Sequence, residues 1–208
     1  GDQGTFTGPG CQGKVLDCVK QGKIFLHKLL LEEGVLDENK KLKLEVNSQH
    51  RNTAAAHHSA THLMHAALKH TLGDHVQQKG SLVDATKLRF DFSHPKAVSK
   101  EEIATIETIV NNHILNNSEV DTKLMKLDDA MASGAEAMFG EKYDNDVRVL
   151  SMSDSFSVEL CGGTHVSRSG DIGVFMITSE SSVSSGVRRI EAVVGNQALK
   201  FISDIRQQ

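Results

Sequence analysis

Two pairs of residues, far apart in the chain, set the strongest condition on how it can fold. Thr53 to Leu72 is an Ala- and Leu-rich run with no Gly or Pro until Gly73. Such a run predicts a long helix with Gly73 at its C′ position. His58 and His62 lie four apart within it, so both imidazoles project from one face about one turn apart. About 100 residues later, Cys161-Gly162-Gly163-Thr164-His165 sets a thiol and an imidazole four apart. The two glycines between them are expected to let the backbone fold tightly. A lone His pair on a helix is ordinarily a surface feature. Together the two pairs offer three nitrogens and one sulfur, the tetrahedral donor set of a single Zn²⁺ ion. The fold must then bring the helix against the CGGTH turn.

Composition excludes several classes. Of the 208 residues 38% are hydrophobic and 24% charged, an ordinary globular balance rather than a disordered one. With eight Phe, one Tyr and no Trp, the chain is poorly equipped to stack bases on an aromatic platform. A net charge of −4 rules out a broadly cationic coat but leaves room for a local basic patch. No apolar run reaches membrane-spanning length; the best candidate, Ile24 to Leu31, is broken by His27 and Lys28. Cys11, Cys18 and Cys161 are an odd number at spacings that suit no disulfide framework, which points to a reducing, cytoplasmic setting. Cys11 and Cys18 read as small buried residues. The opening Gly1-Asp2-Gln3-Gly4 has no Met and no signal segment, as expected of a piece of a longer chain.

Residues 1–50 read as a small glycine-rich β module, a barrel or β-rich unit with short strands between Gly turns. Residues 51–208 read as the main core. Strands are expected near Gln77–Val83 and Lys87–Phe92, followed by a helix from the Ser99-Lys100-Glu101-Glu102 cap signal to about Asn116. Further strands are expected at Val120–Leu127, Val147–Ser151, Ile172–Ser179 and Val187–Val194. A short helix is expected at Asp128–Ser133, and Gly195–Arg206 should be the last helix. Two long helices with an antiparallel sheet make the fold class α+β.

The letters also test other zinc chemistries. A protease of the H-E-x-x-H type needs Glu after the first His as general base, and that position is Ser59. A deaminase needs H-x-E with C-x-x-C, and neither spacing occurs. A purely structural zinc satisfies the same four donors. His65, His70 and His75 are expected on the helix surface or at its end, and His94 in a turn. His57, beside a ligand, is a possible additional contact.

The strings HHSATHLMHAALKHTLGDHVQQKGSL, LRFDFSH, ELCGGTHVSRSGDIGVF and GVRRIEAVVG closely resemble the editing domain of bacterial alanyl-tRNA synthetases, over nearly the whole chain. The opening GDQG looks like the tail of that family's glycine-rich element, and the last helix like the start of its linker. Threonyl-tRNA synthetase editing domains and free-standing alanyl-editing proteins have similar motifs. The resemblance implies hydrolysis of Ser-tRNA(Ala) and Gly-tRNA(Ala), with the remainder of a synthetase chain as partner. It matches His58, His62, Cys161 and His165 to zinc-binding positions, with Cys161 also part of the catalytic centre. Gln78 matches a residue associated with editing. Thr61 is the candidate contact for a serine hydroxyl, unless it bonds its own helix backbone. Arg188, Arg189 and Lys79 are candidates for acceptor-end phosphates. Strand alternation lets at most one of the arginines serve, and surface ion pairing is the ordinary alternative. The family usually has Asn where His57 stands. A tRNA-docking module with a structural zinc is the non-catalytic alternative.

Overall fold

The computed structural model describes residues 1–137 and 143–207. They form two compact units, Gly1–Asn52 and Thr53–Gln208.

The first unit holds β1 (Gly4–Gly8), β2 (Cys11–Gln21), β3 (Ile24–Gly34) and β4 (Lys43–Val46). Their order is β3-β2-β1-β4, and every pairing is antiparallel. Pro9-Gly10 joins β1 to β2, with Gly10 at φ 78°; this order suits a turn whose third residue needs positive φ. Phe6, Cys11 and Val15 form a small core, with Leu29 and Leu42 packed on it. The expected barrel is corrected to an open sheet. Among the described residues β3 pairs only with β2 and the four-residue β4 only with β1, so nothing closes the ring.

The second unit is built on α1 (Ser48–Leu72) from Thr53 onward, whose Ala-rich stripe lets it lie close to its neighbours. Gly73, at φ 114°, ends it by donating its N–H to the Lys69 carbonyl at 2.9 Å. Strands β5 (Gln78–Val83) and β6 (Leu88–Ser93) follow, then α2 (Lys100–Leu115). The Ser99 hydroxyl accepts the Glu102 N–H and the Glu102 carboxylate accepts the Ser99 N–H, the reciprocal cap predicted from the sequence. Next come β7 (Val120–Lys126), α3 (Leu127–Ala132), β8 (Asp146–Met152), β9 (Ser157–Leu160), β10 (Phe175–Ser184), β11 (Val187–Val194) and α4 (Gly195–Arg206). One antiparallel sheet has the order β10-β11-β6-β5 and a second β7-β8-β9. Leu63, Met64 and Leu68 from α1 share the main core with Phe90, Phe92, Ile106, Val110, Phe175 and Ile190. The fold is α+β, as expected.

Two local expectations need correction. The strand anticipated from Ile172 begins at Phe175, because Ser169–Ile172 forms a 3₁₀ turn closed by Gly173 at φ 72°. Strand β9 has no counterpart in the sequence reading. It follows Ser153, Asp154 and Ser155, three consecutive non-glycine residues at positive φ, a turn without the usual Gly signal. No helix among the described residues is long and apolar enough to cross a membrane.

Candidate metal centre and adjoining cleft

Helix α1 presents His58 and His62, and the end of β9 delivers Cys161 and then His165. The four donor atoms lie within 4.8 Å of one another. Cys161 Sγ is 3.6 Å from His58 Nε2 and 3.3 Å from His165 Nε2. Ring centroids are 4.3 Å apart for His58–His165, 5.0 Å for His58–His62 and 5.1 Å for His62–His165.

The turn is held by residues with no ligand role. Ser59 Oγ accepts the Val166 N–H at 3.2 Å and lies 3.2 Å from His165 Nδ1. The position where a zinc protease carries its base is therefore an anchor between helix and turn. Arg148 donates to the Gly163 carbonyl at 2.6 Å, and the Cys161 N–H donates to the Arg148 carbonyl at 2.9 Å. The two glycines differ from expectation. A Cβ on Gly163 would sit 2.2 Å from His58 Cε1, whereas one on Gly162 meets nothing within 4 Å. Gly163 is needed for close approach to a ligand ring, and neither glycine has positive φ.

Behind His62 lies Glu159, which the sequence reading did not single out. Its Oε2 is 2.7 Å from His62 Nδ1 and its Oε1 is 3.1 Å from His65 Nδ1, with all three residues buried. A carboxylate behind the ring fixes the tautomer, so His62 turns Nε2 toward the other three donors. That nitrogen is buried and has no hydrogen-bond partner among the described residues. An orphaned nitrogen, two further imidazoles and one thiol fit a tetrahedral Zn²⁺. The signal available in the sequence was an acidic residue two positions before the cysteine, in a short apolar stretch.

Protonation follows the same geometry. Burial opposes charge on His62, but the Glu159 carboxylate and Cys161 outweigh it and push the imidazole up to about 10. Burial would raise the Cys161 thiol, yet the imidazoles of His165, His58 and His62 around it bring it down to about 3. Glu159 is held well below the carboxylate range; burial works against this and the two histidines prevail. Burial lowers His165, partly offset by Cys161. The cluster thus stabilises a thiolate, the form in which cysteine ligates a metal.

The other histidines separate clearly. His65, expected at the surface, is buried because Glu159 offers it a partner inside the core. His94 follows the end of β6 as expected of a turn, but it is buried and its Nδ1 lies 2.8 Å from His75 Nε2. His57 stays outside the cluster. Its Nδ1 lies 3.0 Å from the Thr53 carbonyl, its Nε2 accepts the Val194 N–H at 3.4 Å, and burial lowers its pKa. His70 and His75 are exposed, as expected.

A cleft of about 350 Å³ opens beside Glu159, lined by His65, Lys69, Gln78 and Glu136 among others. Gln78 is half-buried at the start of β5, and Lys79 is the exposed extra residue of a bulge before Gly80. Thr61 donates its hydroxyl to the His57 carbonyl at 2.8 Å and is buried within α1, outside that lining. Arg188 grips Glu180 with two hydrogen bonds of 2.6 and 2.7 Å. Arg189 grips Asp91 with two of 2.7 and 2.8 Å.

The family pattern "Threonyl and Alanyl tRNA synthetase second additional domain" matches residues 147–191, which include Cys161 and His165. An alanine–tRNA ligase of Saccharophagus degradans is 54% identical over 97% of this chain and 23% of its own length. One of Psychromonas ingrahamii is 54% identical over 92% of this chain and 22% of its own length. One of Pseudomonas fluorescens is 50% identical over 100% and 24% respectively. The chain therefore spans about a quarter of the length of the curated relatives it matches. At this identity along nearly every residue the chain is similar to one segment of alanine–tRNA ligases, and its residues 147–191 to the second additional domain of threonyl- and alanyl-tRNA synthetases.

Proposed function

We propose that this chain is the proofreading segment of an alanine–tRNA ligase and hydrolyses the aminoacyl ester of Ser-tRNA(Ala) and Gly-tRNA(Ala) in the cytoplasm. The observation that carries this reading is the cluster of His58, His62, Cys161 and His165 standing one carboxylate away from a cleft that contains Gln78. The need for such a site is physical. An alanine pocket cannot keep out smaller glycine, and an apolar pocket rejects an added hydroxyl by only about a hundredfold. Errors must then be removed at a second site.

Zn²⁺ held by His58, His62, Cys161 and His165 would act there as an electrophile and a template for the aminoacyl group. Glu159 holds the His62 ring in its ligating orientation, and Ser59 and Arg148 hold the turn that carries the other two donors. Gln78 offers the cleft both a donor and an acceptor for the ester. Lys79 is the candidate for an acceptor-end phosphate. Arg188 and Arg189 would first have to exchange Glu180 and Asp91 for phosphate. Thr61, whose hydroxyl donates to the His57 carbonyl, keeps its oxygen lone pairs to accept from a serine hydroxyl.

A second reading, a tRNA-docking module with a closed structural zinc, is favoured by the full set of four protein donors. Deacylation of Ser-tRNA(Ala) by the wild-type chain, C161A and Q78A separates the two. Proofreading requires ester cleavage by the wild type and its loss in both variants. A chain that binds tRNA, holds one zinc and leaves the ester intact for hours is a docking module.

A further inference from the structure

We infer that His65 is a substrate-binding residue, whose Nε2 accepts a hydrogen bond from a hydroxyl of the aminoacyl-adenosine end seated in the Gln78 cleft. This rests on the proofreading reading given above. Its acceptor atom is not one of the four metal donors. Glu159 is shared between two histidines, with Oε2 facing His62 Nδ1 and Oε1 facing His65 Nδ1. With its Nδ1 proton directed at the carboxylate, the neutral His65 ring leaves Nε2 as an acceptor. Both Nε2 atoms are buried without a hydrogen-bond partner among the described residues. For His62 that atom belongs to the metal cluster. For His65 it does not.

His65 is only 7% exposed, yet it lines the cleft with Gln78 and Lys69. Glu136 Oε2, also on the cleft lining, stands 3.9 Å from His65 Nε2, outside hydrogen-bond reach. Glu136 is also engaged by Lys69. A buried acceptor left unpaired is costly, and a ligand hydroxyl supplies the missing donor. The same cost makes the site selective, because a ligand lacking that hydroxyl leaves the nitrogen unsatisfied. Two hydroxyls of the ligand qualify: the seryl side chain, and the ribose hydroxyl adjoining the ester on the terminal adenosine.

Two substitutions separate this role from a structural one. H65N keeps a donor for Glu159 but withdraws the acceptor from the cleft, and H65Q does the reverse. Deacylation is measured on Ser-tRNA(Ala), on Gly-tRNA(Ala), and on Ser-tRNA(Ala) whose terminal adenosine lacks the adjoining hydroxyl, with zinc content determined for each protein. The expected result is a loss of about tenfold to a hundredfold in H65N with one zinc retained, and partial recovery in H65Q. A loss confined to the seryl ester names the side-chain hydroxyl. A loss on both esters that disappears on the deoxy substrate names the ribose hydroxyl. The inference is overturned if H65N cleaves both esters like the wild type, if its loss on both persists unchanged on the deoxy substrate, if zinc is lost, or if H65Q is impaired as severely. A wild-type chain inactive on every ester overturns the proofreading reading itself, and this inference with it.

Discussion

Residues 1–52 bury Phe6, Cys11 and Val15 in their one hydrophobic cluster and leave Ile24, Phe25, Leu26, Leu30 and Leu31 exposed on β3. Residues from Thr53 onward bury a continuous core from Leu63 on α1 to Ile190 on β11. The polar interiors differ in the same sense. Every buried polar or charged side chain among the described residues, including His57, His62, His65 and Glu159, lies in the second unit. Only a large core can do this. A buried carboxylate and its imidazoles are stable when packing holds each partner in hydrogen-bond position, and a thin sheet has too few layers for that. The metal cluster and the cleft are thus consequences of the second unit's depth.

Four experiments sharpen or break this contrast. The largest effect is expected at the cluster: C161A, or removal of metal with a chelator, should reduce Ser-tRNA(Ala) deacylation by more than about a hundredfold. Activity surviving in the metal-free chain would detach the chemistry from the buried polar cluster. Next, L63A should destabilise the second unit by about 2–5 kcal/mol, read from denaturant unfolding, because Leu63 has no exposed surface. A cost below about 1 kcal/mol would mean the core is loosely packed there. Third, E159Q should weaken zinc binding about tenfold to a hundredfold in chelator competition, since an amide cannot accept from both imidazoles. An unchanged affinity would show that His62 needs no buried carboxylate behind it. The smallest effect is expected in the first unit, where F25A should change stability by less than about 0.5 kcal/mol, Phe25 being 61% exposed. A cost of several kcal/mol would reveal cover over β3 and remove the contrast.

Local signals were legible wherever neighbouring residues carried them. The Ser99–Glu102 cap, the Gly73 stop and the bounds of α4 follow from a few adjacent letters. The four donors were legible for a related reason: spacing on one helix and in one tight turn is a local property, and zinc chemistry links the two. The turn into β9 was missed because Ser153, Asp154 and Ser155 adopt positive φ without glycine. The barrel was expected because strands and turns were visible while the pairing of the outer strands was not.

By itself the sequence determined which residues could hold a metal, where the long helices stop, and which segments alternate as strands. Only the tertiary structure decided that Glu159 stands behind both His62 and His65, that Ser59 ties the CGGTH turn to α1, and that Arg188 and Arg189 are occupied by Glu180 and Asp91. The reason is range. Spacing along a helix or turn is set by backbone geometry over a few residues, whereas the Glu159 and Arg189 contacts join residues more than ninety positions apart. Such partners are chosen by packing in three dimensions.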